Sequence, residues 1–391
     1  MTTTRRSVLG LLGASGIALA TAGATRAGTG SAIPDALRPG GEFDRFVKEK
    51  ADKDEFSGSV LLTHRGRTVL ARSYGTANEQ RANGPDTLFA LASVTKPFTA
   101  VAVAQLAQAG KIAYNGKLGA YLSGFPASIA DTVTVHHLLT HTSGLGDHFA
   151  LRGYLEAALA WTSAEQVMDG TTDYIRRSEL LFQPGAGSRY SNSGYHVLGA
   201  IVAQVTGRSY YDYVREHVFR AAGMTDSDFH ARPRWHTDPR IAHPYATQPS
   251  GGRLDLIDKR LFIGTPAGDA FSTCADMARF ARALQGEKLL NPAFTHITLS
   301  GKVPQPPPTV APAPGSPQAG TKVAFQCYGP LTLLVDDQWV TGHSGGAPGT
   351  STDFQMYPDS QWVSVILSNY DYGMGVPPPV MVKARELITG T

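Results

Sequence analysis

Strand-forming stretches gather at the two ends of this chain and helix-forming stretches fill its middle, a distribution that few folds accommodate. Residues 58–63 and 68–73 are rich in β-branched and aliphatic side chains and flank His64-Arg65-Gly66-Arg67, which predicts a hairpin. Residues 338–343, 351–357 and 362–368 read as three further strands, the last two joined at Pro358-Asp359. Helical periodicity at about 43–50 and 380–388 flanks these segments. The economical assembly is an α/β (α+β) fold with one antiparallel five-stranded sheet and the terminal helices against it. A mostly helical lobe, residues 84–268, would be inserted between the first two strands and the last three. The sheet lobe would then comprise 28–83 and 269–391. A chain of 391 residues exceeds the size that one core fills, which also predicts two lobes.

The charge balance excludes some partners. Arg5, Arg6 and Arg26 account for the whole formal charge of +3, so the chain from Gly28 onward is neutral and carries no nucleic-acid footprint. Arg5-Arg6 precedes an apolar, Gly/Ala-rich run that is too short to span a membrane and ends in small residues near Ala22, Ala24 and Ala27. Residues 1–27 therefore read as a signal peptide of the twin-arginine type, which predicts an exported, periplasmic or secreted protein. The two cysteines, Cys274 and Cys327, permit one disulfide without requiring it. Seven prolines between Pro304 and Pro317 predict an extended loop over 303–318.

Chemistry enters at Ser93-Val94-Thr95-Lys96. Serine and lysine at i and i+3 share a helix face, where a neutral amine can take the hydroxyl proton during attack on a carbonyl. Pro97 lacks an amide hydrogen and suits only the first turn of the helix that follows, so Ser93 should sit at its N-terminus, beside free backbone amides. A lone Ser-x-x-Lys is weak evidence, but two later segments accompany it. Tyr190-Ser191-Asn192 precedes a helical run, and Gly342-His343-Ser344-Gly345-Gly346 follows a strand with glycines that admit close backbone approach.

These elements in this order resemble the penicillin-recognising serine hydrolases: class C β-lactamases, soluble serine D,D-carboxypeptidases, D-aminopeptidases and related esterases. The likeness spans about 42–389 and includes Val135-His136-His137-Leu138-Leu139-Thr140-His141-Thr142-Ser143-Gly144-Leu145 and Ala270-Phe271-Ser272-Thr273. The resemblance implies a β-lactamase/transpeptidase-like fold, with Ser93 the nucleophile, Lys96 its activator and Tyr190 the proton shuttle. It makes Asn192, His343, Ser344, Gly345 and Gly346 substrate-binding, with the amides of Ser93 and Gly346 as the oxyanion hole. It implies no cofactor and no metal. Where the β-lactamases usually have lysine, this chain has His343, which moves the expectation toward a D,D-carboxypeptidase-like peptidase acting on peptides with D-residues. An esterase, a β-lactamase or a transacylase is the alternative, the substrate being a small peptide, ester or β-lactam. A non-catalytic binding protein is the alternative of another class.

Two competing patterns are weaker. Gly342-His343-Ser344-Gly345-Gly346 matches Gly-x-Ser-x-Gly, but no helix signal follows and His343 is the last histidine. His137 and His141 stand four apart, as metal ligands can, yet Leu138 occupies the place of the glutamate such a site needs. That turn is expected to buttress the cleft.

Overall fold

A computed structural model describes residues 32–248, 251–305, 321–372 and 378–390. The export segment at 1–27 and residues 306–318 of the proline-rich stretch lie outside these residues. The fold is mixed α/β around one antiparallel sheet. In chain order its strands are β1 (Gly58–His64), β2 (Arg67–Tyr74), β3 (Val303–Gln305), β4 (Thr321–Gln326), β5 (Leu331–Val335), β6 (Gln338–Ala347), β7 (Thr350–Tyr357) and β8 (Trp362–Ser368). They lie side by side as β2-β1-β8-β7-β6-β5-β4-β3. The strand that ends the sheet in sequence thus pairs with the one that begins it, Gly58 opposite Ser368 and His64 opposite Trp362.

The sheet has eight strands rather than the expected five. The additional three occupy one edge, where burial alternates poorly along β5 and Pro304 interrupts the donor pattern of β3. A proline fits there because β3 is, among the described residues, the outermost strand on that side of the sheet. Residues 303–305 are therefore strand and not loop. The hairpins carry their own signals: Arg65 and Gly66 have φ of 52° and 73°, Asp336 and Asp337 of 44° and 64°, the left-handed pair that a tight two-residue turn needs.

Seven helices frame the sheet and the site: α1 (Glu42–Asp52), α2 (Lys96–Gln108), α3 (Val135–Leu139), α4 (Ala164–Arg176), α5 (Asn192–Thr206), α6 (Cys274–Gln285) and α7 (Pro379–Thr389). Strands β1, β7 and β8 are buried along their whole length; α6 packs on β1 and β8, α7 on β8, and α1 on α7 and β2. Phe354, Val365 and Leu367 join Phe98 of α2, Phe280 of α6 and Leu198 of α5 in one buried cluster. Helix α2 is apolar nearly all round, as a helix enclosed on every side must be. Tyr210, Tyr211 and Tyr213, behind the cap Ser209, belong to the same core. Cys274 and Cys327 are both free and buried, their thiols donating to the carbonyls of Ser59 and Leu299, so no disulfide links them. No described helix is long and apolar enough to cross a membrane.

Candidate active site

The nucleophile turn is built by side-chain and backbone ties to a distant segment. Ala92 takes φ of 45°, an uncommon conformation for a residue with a Cβ, and Ala92–Thr95 forms a single 3-10 turn before α2. Thr95 Oγ1 donates to Ala92 O at 2.9 Å and accepts from Ala270 N at 3.0 Å. Leu91 N donates to Ala270 O and Asp269 N to Ala92 O, so residues 269–270 clamp both sides of the turn. Ser93 stands one turn ahead of α2, as Pro97 near the start of that helix requires.

Lys96 is fully buried beneath it, and its Nζ has three neighbours: Ser93 Oγ at 3.1 Å, Asn192 Oδ1 at 2.7 Å and Ala267 O at 2.6 Å. Burial pulls its pKa down to about 7 against the opposing pull of Asp147 and Asp269. A neutral amine has two N–H donors and one lone pair. Asn192 Oδ1 and Ala267 O can only accept, so they take both donors, and the lone pair is left for Ser93. The hydroxyl of Tyr190 donates to the same serine oxygen at 2.6 Å, which frees the serine proton to point at lysine. Although the Tyr190 residue is 45% exposed, desolvation around its hydroxyl holds it well above the usual phenol range.

His141 brackets Tyr190. Its carbonyl accepts from Arg189 N at 2.9 Å and its Nδ1 from Ser191 N at 3.1 Å, while the rings of His141 and Tyr190 lie 4.6 Å apart. Nδ1 can accept only in the neutral ring, and burial holds His141 well below the usual histidine range. Ser191 caps α5 by accepting from Gly194 N at 3.0 Å, which places Asn192 as the first residue of the helix.

Strand β6 closes the other side. A Cβ on Gly345 would stand 2.5 Å from Leu91 O and 3.0 Å from Ser93 N, so only glycine lets this strand reach the nucleophile turn. β6 pairs with β5 only as far as Gly342 opposite Leu331, leaving the edge from His343 onward open to a ligand.

A sequence model of the Beta-lactamase family matches residues 43–380. The chain belongs to that family. It is a penicillin-recognising serine hydrolase by descent, and its relatives differ in what they are named for. Penicillin-binding protein 4* of Bacillus subtilis (strain 168) is 28% identical over 356 residues, covering 87% of this chain and 74% of that protein. Esterase EstB of Burkholderia gladioli is 30% identical over 392 aligned positions, covering 88% of this chain and 93% of the esterase. The crystal structure of a penicillin-binding protein from Bacillus halodurans superposes with a TM-score of 0.74 at 27% identity, covering 87% of this chain and 98% of that one.

Within this β-lactamase-family chain, Ser93, Lys96, Tyr190 and Asn192 form one hydrogen-bonded group. His343 lies on the sheet face directed at that group, but its Nδ1 bonds the Ser344 carbonyl at 2.6 Å and it makes no hydrogen bond to Tyr190. Burial first, then the Lys96 charge, lower its pKa to about 3. His343 lies inside β6 rather than at its end, and the glycines after it continue the strand. Ser344 faces the other way. Alternation along β6 turns its hydroxyl to the opposite face, where it donates to Asp353 at 2.9 Å, so any substrate contact it makes is through backbone. Gly345 packs on the nucleophile turn, and Gly346 meets nothing within 4 Å of where a Cβ would stand.

Sequence spacing missed Asp147, whose Oδ2 accepts from Asn192 Nδ2 at 2.6 Å, and the carbonyl of Ala267. An aspartate in a loop and a main-chain oxygen carry no periodic signal. His137 takes part in the capping box of α3, its Nδ1 accepting from Thr134 N at 3.3 Å, while His141 stacks on Tyr190; the pair share no ligand position.

Proposed function

We propose that the protein hydrolyses uncharged esters and amides through an acyl-enzyme on Ser93, with Lys96 as base. The observation that carries this reading is the amine of Lys96, buried, with both its donors engaged and its remaining lone pair beside Ser93 Oγ. Ser93 Oγ attacks the carbonyl carbon as its proton passes to Nζ. The amides of Ser93 and Gly346 receive the developing oxyanion. The leaving group takes a proton from Tyr190, leaving a phenolate beside the Lys96 ammonium, and transfer of the ammonium's proton to that phenolate restores both groups. Water then attacks the acyl-enzyme with the same groups in reverse order.

The substrate class follows from charge. Among the described residues, the charged groups hydrogen-bonded to Ser93, Tyr190, Asn192 and His343 are Lys96 and Asp147. Lys96 is consumed as base, and His343 is neutral across the working range, so neither offers a fixed cation to a terminal carboxylate. The esterase relative supports the same class. A second reading, a D,D-carboxypeptidase-like activity on peptides with D-residues, is favoured by the relatives named as penicillin-binding proteins.

Turnover of N-acetyl-D-alanine p-nitroanilide and p-nitrophenyl esters, measured beside release of the last residue from an acyl-D-Ala-D-Ala peptide, tests the order. Faster turnover of the peptide would replace the first reading by the second. Absence of Ser93 labelling by both a fluorophosphonate and a fluorescent penicillin would exclude acyl-enzyme chemistry altogether. We also propose that residues 1–27 direct export. Replacing Arg5 and Arg6 by lysine should then retain the protein in the cytoplasm, and unchanged export would dismiss that route.

A further inference from the structure

Asp147 stands behind the base. Its Oδ2 accepts from Asn192 Nδ2 at 2.6 Å, and its Oδ1 accepts from Phe149 N at 3.1 Å, capping the short turn His148–Ala150. A carboxylate can only accept, so the Asn192 amide must direct its nitrogen to Asp147 and its oxygen to Lys96. Reversed, the amide would set N–H against the lysine donors. The lysine would then turn its lone pair to Asn192, and Ser93 would lose its proton acceptor.

We propose that Asp147 is a positioning residue for the lysine base, fixing the Asn192 amide so that the Lys96 lone pair is reserved for Ser93. The assignment rests on Lys96 acting as the base. It has an electrostatic consequence as well. Lys96 is faced by Asp147 across Asn192, by Asp269, by His141, His148 and His343, and by the rings of Tyr190 and Tyr195. The three histidines are held neutral by burial, and Asp269 is answered by Arg260 at 2.9 Å. Asp147 is therefore a carboxylate whose removal should be felt at Lys96, where it favours the protonated form.

The two contributions separate by substitution. Asp147→Asn removes the charge and keeps one acceptor oxygen, which can serve Asn192 Nδ2 if the new amide turns its nitrogen away from Phe149 N. Asp147→Ala removes both and lets the amide turn. With p-nitrophenyl acetate as substrate, Asp147→Asn should move the acid limb of kcat/KM to lower pH by about half to one unit. Asp147→Ala should lower kcat about tenfold to a hundredfold with KM little changed. Loss of a turn cap alone would lower thermal stability and leave the limb in place, so the pH profile separates positioning from support. Should Asp147→Ala fail to fold, Asp147→Ser takes its place, since its hydroxyl can still cap Phe149 N but is too short to hold Asn192 Nδ2. A kcat of Asp147→Ala equal to that of the wild type overturns the positioning role, an acid limb unmoved in Asp147→Asn overturns its electrostatic part, and a wild-type profile with no acid limb overturns both together with the lysine-base reading.

Discussion

The amine of Lys96 lies 4.7 Å from the centroid of the Tyr190 ring, while both residues reach Ser93 Oγ, at 3.1 and 2.6 Å. The Tyr195 ring presents a second face to the amine at 5.6 Å. Both distances fall within the range of about 6 Å over which a cation is drawn to an aromatic face. An ammonium at Lys96 is thus met by two π faces at a buried position. Tyr190 thereby supports the base through its ring and the nucleophile through its hydroxyl.

Ser93→Ala should abolish covalent labelling and reduce turnover by about 10³ to 10⁶ with the fold intact. Ser344→Ala should be far milder, because its hydroxyl lies on the other face of the sheet against Asp353. Mass spectrometry of the labelled protein locates the adduct, and an adduct on Ser344 would overturn the assignment of the nucleophile.

Activity should rise with pH through about 7. The folded site lowers the lysine pKa to about that value, so below it Nζ holds a third proton and has no lone pair, and above it the base is ready. A kcat/KM profile on a neutral ester measures this directly. A flat profile between about pH 5 and 9 would exclude Lys96 as the titrating base.

Gly345→Ala should lower kcat by roughly a hundredfold or more, since the added carbon would press on the Leu91 carbonyl at 2.5 Å and the Ser93 amide at 3.0 Å. Gly346→Ala, where the same carbon meets nothing within 4 Å, should fold normally. Thermal melts beside kinetics on both variants separate a displaced nucleophile turn from general unfolding. Equal kinetics in the two would show that the close approach is irrelevant.

His343 should not distinguish acidic from neutral substrates by titration. Its pKa near 3 keeps it neutral from mild acid upward, so the pH profiles of an acidic peptide and an uncharged ester should run parallel. His343→Lys should impair kcat for both. Selective weakening of the acidic substrate between pH 5 and 7 would instead show an imidazolium at work.

The sheet was readable at its centre and not at its edge. Residues 351–357 and 362–368 are strongly β-prone because both faces of β7 and β8 are buried, whereas β3 to β5 form an edge in which a proline and uneven burial blur the pattern. The hydrogen-bonded group of Ser93, Lys96 and Tyr190 was legible because its residue types stand at a recognisable spacing. Asp147 was not, because its only requirement is to be an acceptor in the right place. A motif match likewise does not register which face of β6 the Ser344 hydroxyl takes, which strand alternation sets toward Asp353.

The pairing of β1 with β8 carries a consequence for biosynthesis. Gly58 meets Ser368 across some three hundred residues, so the sheet closes only when almost all of the polypeptide has left the ribosome. The serine, its lysine and its tyrosine are all translated long before β6, which brings Gly345 against the nucleophile turn. Contacts of such high sequence separation slow folding, and they also make catalysis a property of the finished chain. A nascent or truncated product that already contains Ser93, Lys96 and Tyr190 lacks the strand that Gly345 brings against the Ser93 turn.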